Sequence, residues 1–172
     1  MPVGHVIGKQ LLHGFAGGYA IQPDMLVSAH VNNSDETIIF GDLLIYDDNL
    51  EGVKPCREDP TNKKFAGIAS REVKQSNVYS QQDLVGFAPK EAVNCFHRGI
   101  ISICCQEGSP KFGGDVYYRY TSDNPDSKPI GFVAAEDTAA NTKAVKIAGL
   151  QFAGTSDANG IVAVSINEKM HV

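Results

Sequence analysis

The chain has 172 residues, enough to bury one sizeable core and a tight fit for two, with 42% apolar residues, 20% charged residues and a formal charge of −5. Its longest apolar runs fall far short of the roughly 20 residues a membrane-spanning helix needs, and fifteen Lys and Arg against twenty Asp and Glu leave no basic stripe for a nucleic acid. Neither a membrane nor a nucleic acid is therefore expected as a partner.

Residues 1–10 have no basic start running into a continuous apolar stretch, which predicts no secretory signal and folding in a cytoplasm. The first 35 residues are unusual in another way. His13-Gly-Phe-Ala-Gly-Gly-Tyr19 and Gln22-Pro-Asp24 break any regular element, yet Val3, Val6, Ile7, Leu11, Leu12, Phe15, Met25, Leu26 and Val27 are too apolar for an ordinary linker. Such a segment needs a surface to lie on, either its own domain or a neighbour. We expect an extended N-terminal arm over 1–35 and a β body over 36–172, with Val3, Ile7, Leu11, Leu12, Phe15 and Tyr19 as the arm's contacts to neighbouring subunits.

From residue 36 onward the periodicity predicts strands almost everywhere. Residues 37–40 and 43–46 flank a turn or bulge at Gly41 and Asp42, and residues 47–62, with Pro55, Pro60 and several charges, read as a surface excursion. Residues 99–105 alternate so that Ile101, Ile103 and Cys105 share one face and Ile100, Ser102 and Cys104 the other. Neither face is strongly polar, so this strand is expected to be central and covered on both sides. Over 115–120, Val116, Tyr118 and Tyr120 form one face against Asp115, Tyr117 and Arg119. A surface loop is expected over 124–129, strands over 130–134 and 144–147, and a last strand over 161–167 with Val162, Val164 and Ile166 inward. Asp157-Ala-Asn-Gly160 is its entering turn, because Asn and Gly tolerate positive φ. Helix signals are scarce and confined to a short turn over 136–141 or near Gln81, since 17 Gly and 8 Pro punctuate the chain. Many short strands with regular turns indicate an antiparallel sandwich or a small barrel.

Three segments carry a resemblance: Phe65-Ala-Gly-Ile-Ala-Ser-Arg-Glu-Val-Lys-Gln75, then His97-Arg-Gly-Ile-Ile-Ser-Ile-Cys-Cys-Gln106, then Gly108-Ser-Pro-Lys-Phe-Gly-Gly-Asp-Val-Tyr-Tyr-Arg-Tyr120. In this order and spacing the chain resembles the head decoration, or structural cement, proteins of tailed bacteriophages. The resemblance implies a jelly-roll-like fold, no enzymatic activity, and a virion protein made in the host cytoplasm that binds the exterior of the capsid. Its implied partners are the major capsid protein and further copies of itself, as a dimer or trimer.

Other chemistries find little footing. Cys56, Cys95, Cys104 and Cys105 lack paired Cys-x-x-Cys or His-x-x-x-His elements, so neither a metal nor another cofactor is expected. Cys95 and His97 would share a strand face, which makes them the nearest approach to a ligand pair or a Cys-His catalytic pair, but core cysteines with an unrelated histidine are the simpler reading. Adjacent Cys104 and Cys105 point to opposite faces, which disfavours a disulfide between them. The Asp157 turn lacks the acidic residue and the Glu that a calcium loop requires, having Thr155 and Ile166 there. His5, His13, His30, His97 and His171 are too dispersed for a cupin. A carbohydrate-binding jelly roll is the rival reading, weakened by the absence of Trp.

Overall fold

The structure is a computed structural model, and it describes residues 14–49, 51–71, 86–138 and 141–171. Twelve strands and no helix form among these residues: β1 (Tyr19–Val31), β2 (Ile38–Ile39), β3 (Leu43–Tyr46), β4 (Val53–Pro55), β5 (Phe65–Ala69), β6 (Gly86–Phe87), β7 (Ala92–Glu107), β8 (Asp115–Thr121), β9 (Gly131–Val133), β10 (Asp137–Thr138), β11 (Lys143–Phe152) and β12 (Ile161–His171). The mainly β class expected from periodicity is what folds. At Asp137–Thr138 the chain pairs with β11 instead of turning into a helix, and the region around Gln81 lies outside the described residues.

The sixteen-residue β7 organises the molecule. It is long enough to serve two rings of paired strands. In the first, β7 pairs with β5, β5 with β3, and β3 with β4; a parallel bridge from Val53 to Asn32 reaches the end of β1, which returns along β7. In the second, β7 pairs with β9, β9 with β8, β8 with β11, β11 with β12, and β12 with β7 again. Closing a sheet on itself removes the open edges that would otherwise pair with another chain. All the named ladders are antiparallel except β7 with β9. That exception arises because residues 122–130 cross over and insert β9 between β7 and β8, so the two flanking strands never pair directly.

Alternation along the strands fills both rings. Leu44, Val53, Ala66, Ala69, Val93 and Cys95 cluster in the first, together with Ile38, Phe40 and Phe87 around the short β2–β6 pair. Ile101, Ile103, Val116, Tyr118, Phe132, Leu150, Phe152, Val162, Val164 and Ile166 cluster in the second. Leu43, Ile45, Phe65, Ile68 and Phe96 belong to the same second cluster, so the outward face of β3 and β5 packs against the second ring. Each large aliphatic side chain buried this way contributes on the order of 1.5–3 kcal/mol. The Val162, Val164 and Ile166 face expected inward is buried, as is the Val116, Tyr118 and Tyr120 face, and the strand expected to be covered on both sides buries Ile101, Ile103 and Cys105 on one face and Ser102 on the other.

Two glycines set how closely the strands cross. Gly67 has φ +131°, and a Cβ there would lie 2.6 Å from the Phe96 carbonyl oxygen; Gly99 has φ +114°, and its Cβ would lie 2.3 Å from the Asp24 carbonyl oxygen. Both positions need the left-handed backbone and the missing side chain. They are the glycines of the Ala-Gly-Ile-Ala and Arg-Gly segments.

Three local features go beyond what periodicity shows. The excursion over 47–62 is not purely a surface loop: β4 pairs with β3, Val53 and Cys56 are buried, and Arg57 reaches Asp42 (2.6 Å) and the Tyr118 hydroxyl (3.0 Å). Arg119, on the face opposite Val116, Tyr118 and Tyr120, is only 2% exposed. It is covered because Glu107, Asp137 and the Pro129 carbonyl converge on its guanidinium. Finally, residues 19–31, within the segment expected to be an arm, pair with β7 as β1.

Candidate functional site

Of the six expected arm contacts, Val3, Ile7, Leu11 and Leu12 lie outside the described residues, and the structure places Phe15 and Tyr19. The chain enters the body through residues 14–18. The Gly17 amide donates to the Ser102 carbonyl (2.7 Å), the Ser102 amide donates to the Gly18 carbonyl (2.8 Å), and the Arg71 amide donates to the Gly17 carbonyl (2.6 Å). This anchoring leaves Phe15 65% exposed, with the Arg71 guanidinium 4.4 Å from its ring centroid. A cation over an aromatic face is attracted by the ring quadrupole, so Phe15 is held in place while facing solvent. Tyr19 stands beside Phe96, centroids 5.8 Å apart, and its hydroxyl lies 3.5 Å from Ser70 Oγ.

Three more exposed apolar residues follow on β1: Met25, Leu26 at 58% and Val31. Leu26 borders a groove of about 390 Å³ whose walls include Tyr46, Phe65, His97, Arg98 and Met170. Phe112, absent from the expected contacts, is 78% exposed. Its turn is fixed to β11 by Gly113 donating to the Phe152 carbonyl (2.8 Å) and Phe152 donating to the Gly114 carbonyl (3.0 Å). An aromatic directly before Gly113-Gly114 was the available signal, since side chains at a tight turn between strands have little to pack on.

The structure gives Cys95 and His97 different surroundings. Cys95 is buried in the first ring, where desolvation pushes its thiol up to about 12; Cys56 is likewise pushed up to about 12, chiefly by burial. Thiols held protonated in this way are poor nucleophiles. All four cysteines are unpaired, with Cys104 less buried than the others. His97 turns instead toward β1, where Ser28 Oγ lies 2.5 Å from His97 Nε2 and 2.9 Å from His30 Nε2. Among the described residues no group of three His, Cys, Asp or Glu side chains forms a ligand set. The Asp157 carboxylate is engaged as a turn residue, accepting the Asn159 and Ile161 amides at 2.8 and 2.9 Å.

Among the described residues the arrangement offers binding surface: fixed aromatics at Phe15 and Phe112, and apolar side chains along β1. The sequence model of a family described as "Structural cement protein (E217 gp24/Pam3 gp6)" matches residues 5–167. No curated relative matches the chain. Among solved structures, a chain described as "The capsid of Myoviridae Phage XM1" superposes with a TM-score of 0.68 at 18% identity, covering 98% of this chain and 99% of the other. At that identity the superposition speaks for a shared fold.

Proposed function

The chain belongs to the structural cement protein family, and from that premise we propose that it binds the outer surface of an assembled phage head and braces the joints between subunits of the major capsid protein. The observation that carries this reading is the family match along residues 5–167. The role is mechanical, and no chemical step is assigned to it. The protein acts as a homo-oligomer, a dimer or trimer, assembled on the head after synthesis in the host cytoplasm.

In this mechanism residues 1–18 are the arm and the two strand rings are the body. Phe15, exposed and held by Arg71, begins the contact surface; Val3, Ile7, Leu11 and Leu12 continue it, and Tyr19 joins it to β1. Ordering an arm residue costs about 1–2 kcal/mol, while apolar burial returns about 25 cal/mol per Å². Contacts with the shell therefore have to be extensive, and repetition over many copies multiplies a modest gain at each one.

The test is co-sedimentation with undecorated heads. Deleting residues 2–13, or replacing Leu11, Leu12 and Phe15 together with Ser, is expected to leave the body folded by circular dichroism and to weaken attachment at least tenfold. Undiminished attachment by a folded truncation removes the arm from the mechanism. Failure of the intact protein to attach overturns the capsid-binding reading itself.

A further inference from the structure

The β1–β7 ladder contains a feature that decoration does not require. Leu26 is paired with Arg98 and Val27 with Phe96, so β7 spends one extra residue, His97, where β1 spends none. An extra residue of this kind is a β-bulge, which locally re-aims a side chain. Here it brings His97 to Ser28, whose hydroxyl also meets His30. The two imidazole centroids lie 6.3 Å apart with the rings steeply inclined, and the Tyr46 ring meets His30 edge-on at 5.4 Å.

We propose that Ser28, His30 and His97 form a pH-sensitive latch between β1 and β7, closed while at least one of the two histidines is neutral and opened when both are protonated.

A serine hydroxyl has one hydrogen to donate and two lone pairs to accept with, and each neutral imidazole has one nitrogen that donates and one that accepts. With both histidines neutral, Ser28 donates to one Nε2 and accepts the N–H of the other, so all three groups are satisfied in a directed chain. Adding one proton keeps that chain intact, with the charged imidazole donating to Oγ and the hydroxyl donating onward. A second proton makes both Nε2 atoms donors. The hydroxyl hydrogen then loses its acceptor, and two cations face each other across one oxygen.

Among the described residues no carboxylate is paired with either imidazole. On β7, Cys95 is a buried thiol and Arg98 is a cation already paired with Asp24 of β1 (2.9 Å). On β3 the neighbour is Tyr46, whose own ionisation is pushed up by burial. From β5 and β12, the side chains bordering the adjacent groove are Phe65, Asn167 and Met170. Burial, with His30 second, holds His97 below the ordinary histidine range, in keeping with this geometry. The sign follows from linkage. An unfolded chain takes up protons near pH 6.5, the folded latch resists the second one, and stability therefore falls as pH drops below about 6.5 toward the folded value. Because β1 follows the arm in sequence, opening the latch loosens the strand on which the proposed arm is rooted.

Two measurements on the full-length protein test the proposal without any capsid. In thermal melts between pH 8 and pH 5, the wild type is expected to lose about 2–4 °C more than His30→Asn or His97→Asn. In NMR titrations of the imidazole C–H signals, one of the two histidines is expected to titrate below the ordinary range and to return toward it when the other is replaced. Ser28→Ala, which removes the shared hydroxyl and keeps both rings, is expected to shift the His97 titration; it also serves if His97→Asn fails to fold. Independent, ordinary titration of His30 and His97, or an identical pH slope in wild type and a folded single variant, overturns the latch.

Discussion

The two strand rings share β7 but close differently. The second is closed by ladders on every side, and its interior is built from Ile, Val, Phe, Leu and Tyr side chains. The first closes at Asn32, through the bridge to Val53 and an Asn33 amide that donates to the Val53 carbonyl (2.9 Å). Asn32 is fully buried, and its amide group approaches the carbonyls of Glu36, Phe87 and Ala88 at 2.8, 3.2 and 3.1 Å, while its Oδ1 accepts the Ser34 amide and hydroxyl. One ring is thus held mainly by apolar area, and the other depends at its seam on a polar residue that has to be satisfied. The contrast matters because the first ring carries β1, the proposed arm root and the latch. A seam made of directional bonds responds to chemistry in a way that a packed apolar interior does not.

The comparison is broken most completely at the strand the rings share. Phe96→Ala on β7 removes a fully buried ring that packs with Tyr19, Ile68 and the second cluster, and is expected to cost about 3–5 kcal/mol. Urea unfolding of this variant should show a lower midpoint with both rings melting together. A variant in which one ring melts early would mean that the shared strand does not couple them.

A smaller effect is expected at the seam. Asn32→Ala removes a fully buried amide that approaches the carbonyls of Glu36, Phe87 and Ala88 and accepts from Ser34, and is expected to cost about 1–3 kcal/mol. Hydrogen exchange should show that loss concentrated in β1 and β4, with β8, β11 and β12 unchanged. Uniform loss of protection across both rings would erase the distinction drawn between them. The smallest expected response is chemical. Cys56 and Cys95, with thiols pushed up to about 12 mainly by burial, should remain unmodified by a thiol-reactive disulfide reagent at pH 8 in the native protein and react on denaturation. Cys104, less buried, should be the first to react; fast labelling of Cys95 would show that the first ring opens readily.

Strand positions and their inward faces were legible in the sequence wherever a period of two ran uninterrupted, as at Val116, Tyr118 and Tyr120 or at Val162, Val164 and Ile166. The turn at Asp157 was legible because Gly160, at φ +75°, meets its backbone demand locally, and the segments that carry the family resemblance contain Gly67 and Gly99, whose close approaches to Phe96 and Asp24 explain why glycine stands there. Alternation, turn chemistry and glycine placement are short-range properties, fixed by neighbours a few residues away.

What tertiary structure alone decided is which strands meet and what stands opposite what. Alternation places Arg119 opposite Tyr118 and Tyr120 but cannot reveal that Glu107 and Asp137 converge on it. His97 read as a histidine unrelated to the core cysteines, with nothing local to name its partner, and a one-residue bulge directs it to Ser28, 69 positions distant in sequence. The insertion of β9 between β7 and β8 left no periodic trace. Register and ring closure depend on the whole set of pairings, and a single-residue slip exchanges the faces of a strand without altering its local pattern.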